Sequence, residues 1–162
     1  MLVLGIDPGT ATTGYGLVRD TANGIEMVAY GAILTTPDQT PAERLQSLYD
    51  QLNELILLHR PDAASVEKLF FYQNVTTAIG VAQARGVILL ALNQHHLNLG
   101  EYTPLEVKQS VVGYGRAEKK QVQAMVKALL NLNKTPKPDD AADALAIAIC
   151  HLHSNKINSL MQ

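Results

Sequence analysis

The sequence predicts an α/β domain built on a mixed five-stranded sheet flanked by helices, and three observations carry that prediction. Short apolar runs bounded by turn residues open the chain. Apolar residues at helical spacing, preceded by capping signals, come next. The two kinds of segment then alternate to the end.

Leu2 to Ile6 reads as a buried strand running into a turn at Asp7-Pro8-Gly9-Thr10. Gly14 to Val18 and Ile25 to Leu34 read as a second and a third strand. Asn23-Gly24 between them tolerates the positive φ of a hairpin, so the first three strands are predicted antiparallel. Thr40-Pro41-Ala42-Glu43 starts a helix with a capping box and a proline in the first turn. Leu45, Leu48, Leu52, Leu55 and Ile56 give that helix one buried face. Ala63 to Glu67 is the fourth strand. From Val75 to Leu92 runs a helix rich in Ala and Gly, whose small residues permit close approach by another helix.

Asn98 to Thr103 is the fifth strand, and Thr103-Pro104-Leu105-Glu106 repeats the capping box. Gly113-Tyr114-Gly115 ends that short helix, and Glu118 to Leu130 forms the next. Lys134-Thr135-Pro136-Lys137-Pro138 is a surface loop. The last helix is expected from Asp139 to His153. Residues 1–153 are thus expected to form one domain, with residues 154–162 as a flexible polar tail.

Hydrophobic residues make up 47% of the chain and charged residues 17%, a balance that argues against disorder. No apolar run approaches the ~20 residues needed to span a bilayer, and no basic leader precedes the first strand. The single Cys150 excludes an internal disulfide framework, so a reducing cytoplasm is the expected location. The net charge of −2 is segregated. Between Pro104 and Lys137 stand seven basic residues, among them Lys108, Arg116, Lys119 and Lys120, against Glu106 and Glu118 alone. That surplus of five marks an anion-facing side or a solvated charged face.

Four acidic residues carry the candidate chemistry. Asp7 and Glu67 each end an apolar strand, which delivers a charge to the sheet edge. Asp140 and Asp143 share a helix face, as do Asp139 and Asp143, so spacing alone does not choose between the two partners. Asp143 lies among Ala141, Ala142, Ala144, Leu145, Ala146 and Ile147, where a charge needs a partner or an ion. Taken singly, an Asp after a strand is more often a turn residue, and an Asp at a helix start more often a cap. Convergent carboxylates are hard oxygen ligands suited to Mg²⁺ or Mn²⁺ rather than zinc. Two such ions, about 3.5–4 Å apart, would serve the attacking and leaving oxygens of a phosphodiester. His151 and His153, more than two turns beyond Asp143, are not expected to be ligands.

These residues resemble the RuvC-type Holliday-junction resolvases. The matching stretches are Gly5-Ile6-Asp7-Pro8-Gly9-Thr10 with Gly14-Tyr15-Gly16, Glu67 with Phe70, and Gln83-Ala84-Arg85-Gly86. Val107-Lys108-Gln109 through Gly113, Ala117-Glu118-Lys119 and Asp140-Ala141-Ala142-Asp143-Ala144-Leu145-Ala146 continue the match over nearly the whole chain. The resemblance implies a ribonuclease-H-like fold and a Mg²⁺-dependent endonuclease with two ions per subunit, Mn²⁺ being an expected substitute. It implies a homodimer that nicks a four-way junction symmetrically, leaves 5′-phosphate and 3′-hydroxyl ends, and works beside the RuvA–RuvB branch-migration complex in recombination and repair. It assigns Asp140 to the site rather than Asp139, which is then expected to cap the helix. It also implies that Lys108 and Lys119 hold phosphate or screen transition-state charge, the alternative being solvated helix lysines. Phe70 is implied to contact the junction centre, with Phe71 and Tyr72 following it, the alternative being a satellite core cluster under the loop. Arg116 and Lys120 join them as candidate DNA contacts, while Gln83 and Arg85 are expected to support packing or the dimer.

Competing readings are a ribonuclease-H-like RNA-processing nuclease and a non-catalytic DNA-binding module. Asp-x-Gly-Thr after a first strand also suits actin-like ATPases and sugar kinases, but these need two such subdomains and the chain has no internal repeat. A lost carboxylate would favour the module, and all four are present.

Overall fold

The computed structural model describes residues 1–68 and 74–161. Its sheet contains β1 (Leu2–Asp7), β2 (Thr12–Thr21), β3 (Gly24–Leu34), β4 (Ala63–Glu67) and β5 (Asn98–Tyr102), in the order β3-β2-β1-β4-β5. The first three strands form an antiparallel meander, whereas β4 pairs with β1, and β5 with β4, in parallel. Parallel neighbours need crossover connections, and α1 (Pro41–His59) and α2 (Val75–Gln94) supply them. Both capping boxes form as the sequence predicts, from Thr40 with Glu43 on α1 and from Thr103 with Glu106 on α3 (Pro104–Val112). Gly113 closes α3 in the left-handed conformation at φ 103°, where a side chain would be strained. α4 (Lys119–Leu129) and α5 (Asp139–Leu160) complete the fold.

The period of two along each strand divides the core between the two faces of the sheet. Leu2, Leu4, Ile6, Leu17, Ala64 and Val66 pack with Leu48, Leu52 and Ile56 of α1 and Ile88 and Leu92 of α2. Val3, Val18 and Ala63 face the other way, toward α3, α4 and Leu145, Ile147 and Ile149 of α5. Each such aliphatic side chain, once fully buried, contributes roughly 1.5–3 kcal/mol. The same parity sets the direction of the strand-end acids. Asp7 follows Val3 and Gly5, and Glu67 follows Ala63 and Ser65, whose Oγ donates to the Ile147 carbonyl of α5 at 3.2 Å. Both acids therefore belong to the α5 face.

Three differences from the sequence-based expectations have physical causes. α5 continues through Leu160 rather than ending at His153, with Lys156 paired to Asp20 at 2.8 Å and Asn155 bonded to His151. Asp139 does not cap α5. The cap position is Pro138, which makes Asp139 the first helical residue rather than the cap, and its carboxylate turns to Lys137 at 2.9 Å and Lys119 at 3.8 Å. Finally, α2 is long and apolar enough by composition to cross a membrane, with a mean hydropathy of 1.7 over its most apolar stretch. The isolated polar Thr, Gln and Arg residues along it conceal that length when the sequence is scanned for unbroken apolar runs. In the fold it packs on α1 through Ala84, Ile88, Ala91 and Leu92.

Candidate active site

Asp7 is the last residue of β1 and lies opposite Gly14 of β2. On the other side Ile6 pairs with Val66, which makes Asp7 and Glu67 the next residues on adjacent parallel strands. The turn after Asp7 is tied by Thr13, whose Oγ1 donates to the Gly9 carbonyl at 2.9 Å and accepts from the Gly9 N–H at 3.4 Å. α5 brings Asp140 and Asp143 onto this sheet edge, and the sheet accommodates it by omitting side chains. A methyl group at Gly14 would overlap the Asp140 carbonyl, and one at Gly5 would overlap the Ala144 carbonyl. The helix backbone rests directly on β1 and β2, as only glycine permits.

One carboxylate oxygen from each of Asp7, Asp140 and Asp143 lies within 4.8 Å of the other two. Glu67 stands beside this trio and lines a cleft of about 230 Å³ with Asp143, Lys108 and Lys119. Burial, then repulsion by Glu67, Asp143 and Asp140, pushes the Asp7 carboxyl up to about 8. Burial followed by the Asp143 charge raises Glu67 to about 7, against the pull of Lys108 and Lys119. Asp143 is also raised, mainly by burial, although Lys119 opposes the shift. Carboxylates so placed favour a proton or a cation in their midst. Their all-oxygen donor set, gathered within a few ångströms, fits a hard divalent ion.

The cations enter from the opposite wall. Lys119 begins α4, where the helix dipole disfavours positive charge, yet its Nζ lies 3.3 Å from Asp143. Desolvation lowers its pKa, but the attraction of Asp143 and its neighbours prevails and the net shift is upward. Lys108 of α3 lines the same cleft. Arg116, in the α3–α4 connection, and Lys120, in the first turn of α4, are exposed and are not among the residues lining the cleft. Phe70, with Phe71 and Tyr72, lies outside the described residues. His151 and His153 are bonded elsewhere, to the Tyr102 hydroxyl at 3.0 Å and to Ser110.

Sequence reasoning missed one link. Arg85 on α2 donates from Nε to the Glu67 carbonyl at 3.2 Å and forms an ion pair with Glu101. No periodicity connects residues on a strand, a helix and a second strand, so spacing held no signal for this contact.

Acids at the ends of two central parallel strands, closed by two more on α5, place the chain among ribonuclease-H-like domains with an acidic edge. The comparisons with known proteins narrow this class. Residues 3–151 match the family model described as "Crossover junction endodeoxyribonuclease RuvC". A crossover junction endodeoxyribonuclease RuvC of Alkaliphilus metalliredigens is 54% identical over 162 residues, covering 100% of this chain and 99% of that relative. The counterpart in Pelotomaculum thermopropionicum is 56% identical over 153 residues, covering 94% and 93%. Thermus thermophilus RuvC superposes with a TM-score of 0.91 at 33% identity, over 98% of this chain and 97% of the other. The same protein in complex with Holliday junction substrate gives 0.91 at 34%, over 98% and 96%. The chain belongs to the RuvC family of crossover junction endodeoxyribonucleases.

Proposed function

We propose that this chain resolves four-way DNA junctions as a homodimer, nicking two strands symmetrically by Mg²⁺-dependent hydrolysis to 5′-phosphate and 3′-hydroxyl ends. The observation that carries the reading is the convergence of Asp7, Asp140 and Asp143 within 4.8 Å, with Glu67 in the adjoining cleft. These four residues would hold the metal, two ions per subunit, with Mn²⁺ as a substitute. When bound, such ions supply an activated water and stabilise the departing oxygen.

Lys119 and Lys108 hold the scissile phosphate over the acidic cluster, and Arg116 and Lys120 extend the phosphate-binding side outward. Phosphate contacts of this kind position the substrate without reading its sequence. Phe70 is proposed to meet the junction centre, where stacking on a base contributes about 1–3 kcal/mol.

The described residues contain one acidic cluster, so two nicks require two copies. The outward side of α2 suits that pairing. Val75, Ile79 and Leu90 are 72%, 54% and 52% exposed, and an added methyl at Gly86 would meet open space. The single protomer thus has no need of a glycine there, whereas a second helix laid along this stripe does. The RuvA–RuvB complex is the proposed partner. A cytoplasmic location agrees with a lone, buried Cys150.

The test compares labelled junction with matched duplex in Mg²⁺. Junction cutting that vanishes in Asp7→Asn is expected, and equal cutting of duplex and junction, or an active Asp7→Asn, overturns the reading.

A further inference from the structure

We infer that Arg85 is a positioning residue for Glu67: it clamps the end of β4 to α2 and β5 and so fixes where the Glu67 carboxylate stands. The inference rests on the reading of the acidic cluster as a metal centre. Arg85 comes from an element that contributes no acid to the site, and it reaches β4 through the main chain. Its Nε donates to the Glu67 carbonyl at 3.2 Å, while Nη2 pairs with the Glu101 carboxylate.

Glu101 lies in register with Val66 and Tyr102 with Glu67, so one guanidinium spans the last rungs of the β4–β5 ladder. The Lys68 N–H donates to the Tyr102 carbonyl at 2.8 Å and closes the ladder just beyond. Glu67 thus lies at the end of β4, held by its pairing with Tyr102 and by the guanidinium.

Such an anchor has a purpose. Asp143 repels Glu67, and a carboxylate among like charges moves away unless its backbone is fixed. The charges facing the Glu67 carboxylate are those of Asp7, Asp143, Lys108 and Lys119. Arg85 works on the peptide instead. Only arginine suits this task, because its planar fork donates to a carbonyl and a carboxylate at once, whereas a lysine ammonium reaching Glu101 has no rigid second arm.

The experiment measures Mn²⁺ binding to the intact protein without DNA, by the loss of the free-ion paramagnetic resonance signal. Arg85→Ala and Arg85→Lys are each made in the natural sequence and in a Glu67→Gln background, with a thermal melt of every variant. Both arginine variants are expected to weaken Mn²⁺ binding by about 10–100-fold, the range for groups that orient a ligand. Arg85→Lys should recover most of the melting temperature by keeping the Glu101 pair, yet recover none of the affinity. In the Glu67→Gln background neither change should weaken binding further.

Unchanged affinity in Arg85→Lys overturns the clamp, as does an equal loss in both backgrounds. Should Arg85→Ala fail to fold, Arg85→Lys gives the same discrimination. If the natural protein takes up no Mn²⁺, or Glu67→Gln takes up as much, the metal reading fails and the clamp falls with it.

Discussion

Asp7 sits where its surroundings favour the protonated carboxyl. Its folded pKa of about 8 lies above the ordinary 3.8, so between those values the native state keeps a proton that the unfolded chain has released. Stability in the absence of metal is then fully present below the unfolded pKa and is lost as pH rises through the folded one. Glu67, raised to about 7, acts in the same direction. In a chelating buffer the melting temperature should fall between about pH 5 and about pH 8.5 by several degrees, at roughly 2–4 °C per kcal/mol. Asp7→Asn should flatten that slope and melt higher than the natural protein at the alkaline end. Calorimetry across the interval decides it, since a melting temperature that climbs with pH contradicts the burial of these acids. Strand-end position made Asp7 and Glu67 legible in the sequence. Asp140 and Asp139 were not separable by spacing, because both share a face with Asp143, and the difference lies in Lys137 and Lys119 drawing Asp139 aside.

Among the elements, α5 decides the geometry of the site, and it does so by lying on bare backbone. Gly14→Ala would place a methyl group into the Asp140 peptide, and backbone cannot yield as a side chain tip can. Overpacking of this kind costs typically 1–3 kcal/mol. The expected result is a folded protein with a melting temperature lower by several degrees and Mn²⁺ affinity reduced at least tenfold, read from a titration and a melt on one sample. A variant that binds metal normally would show that α5 is not seated by this glycine. The capping boxes of α1 and α3 were legible because each is a local bond pattern written within four residues. The fit of α5 to Gly5 and Gly14 was not, since it joins segments more than a hundred residues apart.

At the scale of the whole molecule, two properties follow from how faces are distributed. The alternating segments predicted one sheet covered on both sides, and the core divides in that way between α1 with α2 and α3 to α5. The small residues of α2 marked it in the sequence for close approach by another helix, but spacing did not say which side faces outward, where Val75, Ile79 and Leu90 are exposed. If the proposed dimer forms along this side of α2, Leu90→Asp should shift it to monomer in sedimentation and replace paired nicking by single nicks. A monomer in the natural sequence, or a dimer that survives the charge, would move the interface elsewhere.

The distance along the chain between the site's parts has a consequence for biosynthesis. Asp7 leaves the ribosome more than a hundred residues ahead of Asp140 and Asp143 of α5, and β1 has its parallel partner only once β4 is made. Synthesis proceeds at about 5–20 residues per second, so several seconds separate the first acid from the last. Throughout that interval the nascent chain holds no complete acidic cluster. If these four acids do the cutting, as proposed, a nascent chain gains that competence only after α5 has been made.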